Sequence, residues 1–458
     1  MIGEPMTSFL INGCHIVTMN QARAEHTAGY VAVSGNRITA VGAGLAPAGL
    51  TEAARVIDGS GCLATPGLVN THHHLYQWAT RGRAADSTLF GWLTELYPVW
   101  ARIDEQIVAD SATAALAWLA RTGCTTTTDH HYVFPAGGGD VLGAAVEAAR
   151  LVGLRFHPTR GSMDLGRSAG GLPPDSVVED IDAILTGTGQ AIDRYHDPAP
   201  GAMVRMGVAP CSPFSVTADL LRAAAELARD RQVRLHTHLA ETVEEERFCA
   251  DRFGCTSAEY LDALGWLGGD VWLAHCVHLD DAAIARMAAT GTGVAHCPSS
   301  NARLGAGICR TADLLAAGVP VGLGVDGAAS NEESSLLGEV RTAVLLARAA
   351  GGPQALSVRA ALELATLGGA RLVGRQDEIG SLEPGKLADI ALWRLDTLPH
   401  ANIADPVAAL VLGARAPLEL LAVNGEVVVE RDQVVTVDEA AAAAAAGRAA
   451  RALASSAA

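Results

Sequence analysis

Positive charge is scarce in this chain. Thirty-three basic residues face 50 acidic ones, for a formal net charge of −17, and the only lysine is Lys386. Binding to a phosphate backbone draws on clustered Lys and Arg, so the composition argues against a nucleic-acid partner and for small-molecule chemistry. Long apolar runs are missing too, since none reaches the roughly 18 residues of a membrane span. The first residues, Met1-Ile2-Gly3-Glu4-Pro5-Met6, lack the basic and apolar regions of a secretion signal. No disulfide-like framework is visible either. Nine cysteines are scattered, and Cys62, Cys124 and Cys276 lie inside apolar runs, where a thiol behaves as a small hydrophobe. The expectation is a soluble protein of a reducing cytoplasm, without a membrane partner.

What is present is enough chain for a large core. At 458 residues the protein exceeds the usual single-core size, so one large domain and a smaller one are expected. Both ends read as strands and turns. Near the start, Tyr30-Val31-Ala32-Val33 and Arg37-Ile38-Thr39-Ala40-Val41 flank a Gly-Asn turn, a hairpin signal. Near the end, Leu420-Leu421-Ala422-Val423 and Glu426-Val427-Val428-Val429 flank Asn424-Gly425. The middle alternates strand-like runs with helical patterns, which indicates βα units around a parallel sheet. The expected architecture is α/β, a (β/α)8 TIM barrel over 67–374 with a small β-sandwich built from 1–66 and 375–458. The Ala-rich stretch from Ala440 reads as a surface helix or a frayed end.

The stretch Val69-Asn70-Thr71-His72-His73-His74 organises the chemistry. On an extended segment the side chains alternate, so His72 and His74 point to one side and offer two nitrogen ligands to one metal ion. Other strand ends carry His238, His275 and Asp326, with Glu241 three residues beyond His238. Barrel active sites gather at the C-terminal ends of the strands. Three imidazoles and a carboxylate suit zinc or a similar divalent ion, with a position left for water. Glu241 is placed to move protons, and His275 and Asp326 to orient the nucleophile or take its proton.

These residues resemble the amidohydrolase superfamily, in its aminohydrolase branch of deaminases and triazine hydrolases. The resemblance runs through His236-Thr237-His238-Leu239-Ala240-Glu241, Ala274-His275-Cys276, His296-Cys297-Pro298-Ser299-Ser300-Asn301, Gly324-Val325-Asp326-Gly327 and the segment from Gly380 to Asp389. It implies a metal held by His72, His74, His238 and Asp326, with Glu241, His275 and Asp326 catalytic. Binuclear members bridge two metals with a barrel lysine. Lys386 lies outside the barrel, so one divalent ion is implied, zinc, with ferrous iron the other candidate. Gln77 stands where guanine deaminases carry a base-binding glutamine, while the arginine they place before a phenylalanine is absent at Pro213-Phe214. The segments around His72, Thr128 to Pro135 and Arg160 to Gly166 are most similar to bacterial 8-oxoguanine deaminases. That likeness implies conversion of 8-oxoguanine to urate and ammonia, with Gln77 and His131 as substrate contacts and a homo-oligomeric assembly. The alternatives are an aminohydrolase for s-triazines, isocytosine or another base, or an inactive scaffold, which the presence of both Glu241 and Asp326 argues against.

The remaining histidines have plainer readings. His15, His26, His157, His196 and His400 are expected to be core or surface residues. His73 and His236 are out of step with the ligands and read as structural, as do His278 and His296. His130 and His131 either line the pocket or stand behind its lining. Cys297 and Asn301 are expected to shape a loop at the barrel mouth. Gly137-Gly138-Gly139 lacks the strand and helix of a phosphate-binding loop and reads as a turn.

Overall fold

The computed structural model describes residues 9–51 and 55–455, so Met1 to Met6 lie outside the described residues. Its centre is an eight-stranded parallel sheet. The strands are Leu68–Asn70 (β1), Cys124–His131 (β2), Arg155–Ser162 (β3), Gly207–Pro210 (β4), Arg234–Leu239 (β5), Val271–His275 (β6), Gly293–His296 (β7) and Val321–Leu323 (β8). Every neighbouring pair from β1 to β8 is parallel. The ring is closed just past the strand ends, where His73–His74 pairs in parallel with Asp326–Gly327. Thr71 N–H also donates to Leu323 O at 3.0 Å, and Asp326 N–H to His72 O at 3.1 Å. Closure and the candidate ligands therefore share the same few residues.

Local sequence explains the units. Cys124–His131 is buried along its whole length and opens with a run of threonines, whose β-branched side chains favour strands. The helix Ala218–Asp230 buries Leu220, Leu221, Ala224, Ala225 and Ala228, the i, i+1, i+4, i+5, i+8 stripe of one helix face. Thr217 caps it by accepting from Leu220 N–H at 3.2 Å, as an N-cap threonine does.

The strands of the two ends form one nine-stranded sheet. The joint is antiparallel, with Ile390 opposite Pro66 and Arg394 opposite Cys62. One face of this sheet encloses Phe9, Ile11, Val31, Ile390, Leu392 and Leu420. At the Asn424-Gly425 turn both residues have positive φ, 53° and 84°, the geometry of a two-residue hairpin turn. A Cβ on Gly425 would sit 2.3 Å from Gly35 O, because the two hairpin turns touch, with Asn36 Nδ2 donating to Asn424 Oδ1 at 3.3 Å.

The terminal helix Glu439–Ser455 differs from a frayed end. Ala442, Ala446, Ala449 and Leu453 are buried, Arg121 pairs with Glu439 at 2.8 Å, and Arg102 donates to Leu453 O at 2.7 Å. Alanine spacing of four, three and four residues supplies a narrow apolar stripe that a composition-based reading overlooks. No helix of the described residues is long and apolar enough to cross a membrane.

One buried ion pair ties the barrel to the terminal sheet. Arg155, at the start of β3, meets Asp389 at 3.0 and 3.3 Å, and both side chains are almost fully buried. Gly201 O and Ala202 O accept from the same guanidinium at 3.0 and 2.9 Å, and Asn424 N–H donates to Asp389 at 2.8 Å. Removing one partner of such a pair strands a buried charge, at a cost of about 3–5 kcal/mol. Asp389→Ala is therefore expected to lower the thermal unfolding midpoint markedly, while the double variant Arg155→Met/Asp389→Leu loses less; equal losses in the two would contradict this account.

Candidate active site

Six of the side chains singled out from sequence converge at the C-terminal ends of the strands. His72 and His74 follow β1, and His238 lies near the end of β5, two residues past His236 and on the same side of the strand. Glu241 follows two residues after that strand, His275 ends β6, and Asp326 follows β8. All of them are buried. His74, His238, Glu241, His275 and Asp326 line one cavity together with Gln77, Tyr97, Tyr132 and Phe214.

The hydrogen bonds of two imidazoles determine which nitrogen faces inward. His74 Nδ1 lies 2.7 Å from His130 O, and His238 Nδ1 lies 2.6 Å from Cys211 O. A carbonyl oxygen only accepts, so in each neutral ring Nδ1 carries the proton and Nε2 is left with a lone pair. Those two Nε2 atoms face each other at 3.2 Å. Asp326 Oδ1 stands 3.2 Å from His74 Nε2 and 3.4 Å from His72 Nε2. His72 Nε2 is buried without a hydrogen-bond partner. Lone pairs and a carboxylate oxygen turned toward one another in a dry interior repel, unless a cation stands between them. The grouping of His72, His74 and Asp326, with their donor atoms all within 4.8 Å, fits a divalent ion that takes nitrogen and oxygen ligands.

The electrostatics agree with that donor set. Burial holds the His72 and His238 imidazoles well below their usual pKa, which keeps them neutral as ligands must be. A charged Asp326 whose Oδ1 faces two bare imidazole nitrogens likewise calls for a cation between them. Its other oxygen, Oδ2, accepts from Ser300 at 2.5 Å and Ser330 at 2.9 Å. Glu241 is pushed the opposite way, well above the ordinary value, by burial and by the negative Asp326 and Glu245. A carboxyl that holds its proton more readily is suited to shuttling one.

Further residues position these groups, and sequence reasoning missed most of them. Glu245 accepts from the N–H groups of Ala240 at 2.8 Å and Glu241 at 3.1 Å, which fixes the turn carrying Glu241. Asn301 does more than shape a loop: its Oδ1 lies 2.9 Å from His275 Nδ1, leaving His275 Nε2 to face Glu241 at 3.6 Å. The helix Leu89–Trp100 contributes Leu89, Trp92, Leu93 and Tyr97 to the cavity wall. Their i, i+3, i+4, i+8 spacing was the available signal. Four non-glycine residues here have left-handed backbone, Ala240 (50°), His275 (73°), Cys276 (50°) and Asp326 (61°), a conformation that other contacts must hold in place at about 1–3 kcal/mol each.

The expected substrate contacts part company. Both atoms of the Gln77 amide are buried without partners, and Gly327 makes room for it, since a Cβ there would meet Gln77 Oε1 at 1.7 Å. His131 does not line the cavity. Its Nε2 donates to Val133 O at 2.9 Å, and its ring packs against Tyr76 and Phe134. His130 lies behind the cluster, stacked on His238 at 4.8 Å and bonded to Ala209 O at 2.8 Å. His73 is buried with both ring nitrogens unpartnered, and His278 donates to Ala306 O at 2.8 Å.

A family model described as the amidohydrolase family matches residues 63–429. The chain belongs to the amidohydrolase family. Among curated amidohydrolase relatives, it is 45% identical over 426 residues to the 8-oxoguanine deaminase of Pseudomonas aeruginosa, covering 93% of this chain and 92% of that one. It is 37% identical to the hydroxydechloroatrazine ethylaminohydrolase of Pseudomonas sp. strain ADP, covering 95% and 93%. Among solved structures, an atrazine chlorohydrolase from Arthrobacter aurescens TC1 complexed with zinc superposes with a TM-score of 0.92 at 35% identity, covering 96% of this chain and all of that one.

The facing lone pairs yield a test that needs no substrate. Stripping divalent ions with a chelator should lower the melting temperature, and one equivalent of zinc should restore it, since a ligand at 100 times its Kd stabilises by about 2.7 kcal/mol. Asp326→Asn should fold and lose most of that zinc-dependent increment; an increment equal to wild type would remove Asp326 from the donor set.

Proposed function

We propose that this protein is a metal-dependent aminohydrolase that removes an amino group from a nitrogen heterocycle, with 8-oxoguanine as substrate and urate and ammonia as products. The observation that carries the reading is the convergence of three imidazoles and Asp326 beside a proton-retaining Glu241, in a cavity walled by aromatic side chains. The 45% identity to an 8-oxoguanine deaminase over 93% of the chain supports the choice of substrate. In this reading His72, His74, His238 and Asp326 hold one zinc ion, the metal named for the triazine-hydrolysing neighbour. Such an ion supplies Lewis acidity that brings the pKa of a water to about 7.

The protein's own groups then do the proton work. Water adds to the amino-bearing carbon C2 with one O–H directed at Glu241 and the other shared between His275 Nε2 and the Asp326 carboxylate. Glu241 takes one proton from the water and delivers it to the ring nitrogen as the C=N bond becomes single. A second proton from the same oxygen passes through Glu241 to the amine. The C–N bond breaks, ammonia departs and C2 becomes a carbonyl. The Gln77 amide, free to donate and accept, reads the polar edge of the ring.

The likeness to a hydroxydechloroatrazine hydrolase keeps a triazine as the competing substrate. A panel of 8-oxoguanine, guanine, isocytosine, cytosine and hydroxylated triazines, assayed for ammonia release by zinc-loaded protein, separates the readings. The expected result is the highest kcat/KM for 8-oxoguanine; preference for a triazine overturns the substrate, and turnover of none overturns the deaminase reading. Glu241→Gln should keep its metal and lose about 10²–10⁴-fold in kcat, whereas an unimpaired variant would remove Glu241 from proton transfer. Gln77→Ala should raise KM more than it lowers kcat, and an unchanged KM would free Gln77 from substrate recognition.

A further inference from the structure

Carbonyl oxygens set the tautomers of His74 and His238, but the Nδ1 of His72 meets no carbonyl. It meets the Nε2 of His236 at 2.8 Å. His236 in turn places its own Nδ1 2.8 Å from Trp272 O. Since that carbonyl accepts, the proton of the neutral His236 ring is on Nδ1 and its Nε2 is bare. His236 Nε2 therefore accepts from His72 Nδ1–H. The chain of two imidazoles ends in a lone pair on His72 Nε2, the atom without a hydrogen-bond partner that faces Asp326.

We propose that His236 is a positioning residue that holds His72 in the one tautomer able to bind a cation through Nε2. The inference rests on the metal site of the preceding section and assigns a task to a histidine that sequence spacing reads as merely structural. The surroundings give His236 a fixed orientation. Its ring stacks on the Trp272 indole with centroids 4.5 Å apart and planes 18° apart, and it is buried. The Trp272 indole N–H donates to Thr71 O at 3.0 Å, so one tryptophan orients His236 through its carbonyl and anchors the residue preceding His72 through its ring. Without an acceptor at His236, the His72 Nδ1–H would be left buried and unpaired, a state that costs free energy. The ring escapes it by moving its proton to Nε2 or by turning away, and either change removes a donor from the set.

Two isosteric amides separate this role from packing. In His236→Gln the side-chain oxygen reaches the place of Nε2 and accepts from His72. In His236→Asn the shorter amide reaches the place of Nδ1, keeps a bond to Trp272 O and leaves His72 without an acceptor. Full-length wild type and both variants would be stripped of metal, and their zinc affinity measured by competition with a chromophoric chelator alongside the melting temperature of each metal-free protein. The expected result is affinity near wild type for Gln and roughly 10–100-fold weaker binding for Asn, with similar metal-free melting temperatures. Equal zinc affinity in Asn, Gln and wild type would overturn the inference alone. Failure of the wild type itself to bind one zinc would overturn the metal site and the inference with it.

Discussion

The structure depends on buried imidazoles pinned through Nδ1 so that their Nε2 lone pairs meet. His74 and His238 are held this way by His130 O and Cys211 O, and their bare nitrogens approach to 3.2 Å. Nothing in a dry protein interior favours that approach except a positive charge at the meeting point. Each pinning carbonyl belongs to another segment of the barrel sheet: His130 is on β2, and Cys211 directly follows β4. Strand register thus fixes ring orientation, and ring orientation fixes the site.

Other features support that arrangement from outside. Ser300 and Ser330 occupy one oxygen of Asp326 and leave the other for the cluster. Glu245 gathers the N–H groups of Ala240 and Glu241, so the turn that carries Glu241 is held by a second buried carboxylate. The left-handed backbone at Ala240, His275, Cys276 and Asp326 shows that the strand ends are bent to aim these side chains, a conformation that persists because closure of the barrel over-determines it. Closure by the His73–His74 and Asp326–Gly327 pair joins fold and site in the same residues.

Much of this was legible in the sequence. Alternating strand and helix signals indicated the barrel, and Asn-Gly with its flanking β-formers indicated the hairpin at Asn424-Gly425. Residue type and spacing pointed to His72, His74, His238, Glu241, His275 and Asp326 because ligand chemistry is local to strand ends. What was not legible depends on contacts between distant segments. Asn301 reads as a loop former, and it and Ser300 meet His275 and Asp326 only after β6, β7 and β8 align. The Leu89–Trp100 helix has an ordinary apolar pattern, and only the fold shows that this face walls the cavity. His131 and His130 are adjacent on one strand, so alternation sends them to opposite sides, and of the two His130 is the one packed against His74 and His238. The terminal sheet reads as a sandwich from its strand-rich ends, while its hydrogen bonding forms one continuous nine-stranded sheet.

The central claim is that one cation sits where three Nε2 atoms and one carboxylate oxygen converge. Anomalous diffraction at the zinc absorption edge, from crystals of zinc-loaded protein, measures this directly. The account predicts a single anomalous peak about 2.0–2.2 Å from Nε2 of His72, His74 and His238 and from Oδ1 of Asp326. Ligation through any Nδ1, a second peak in the same cavity, or a peak elsewhere in the chain would contradict it.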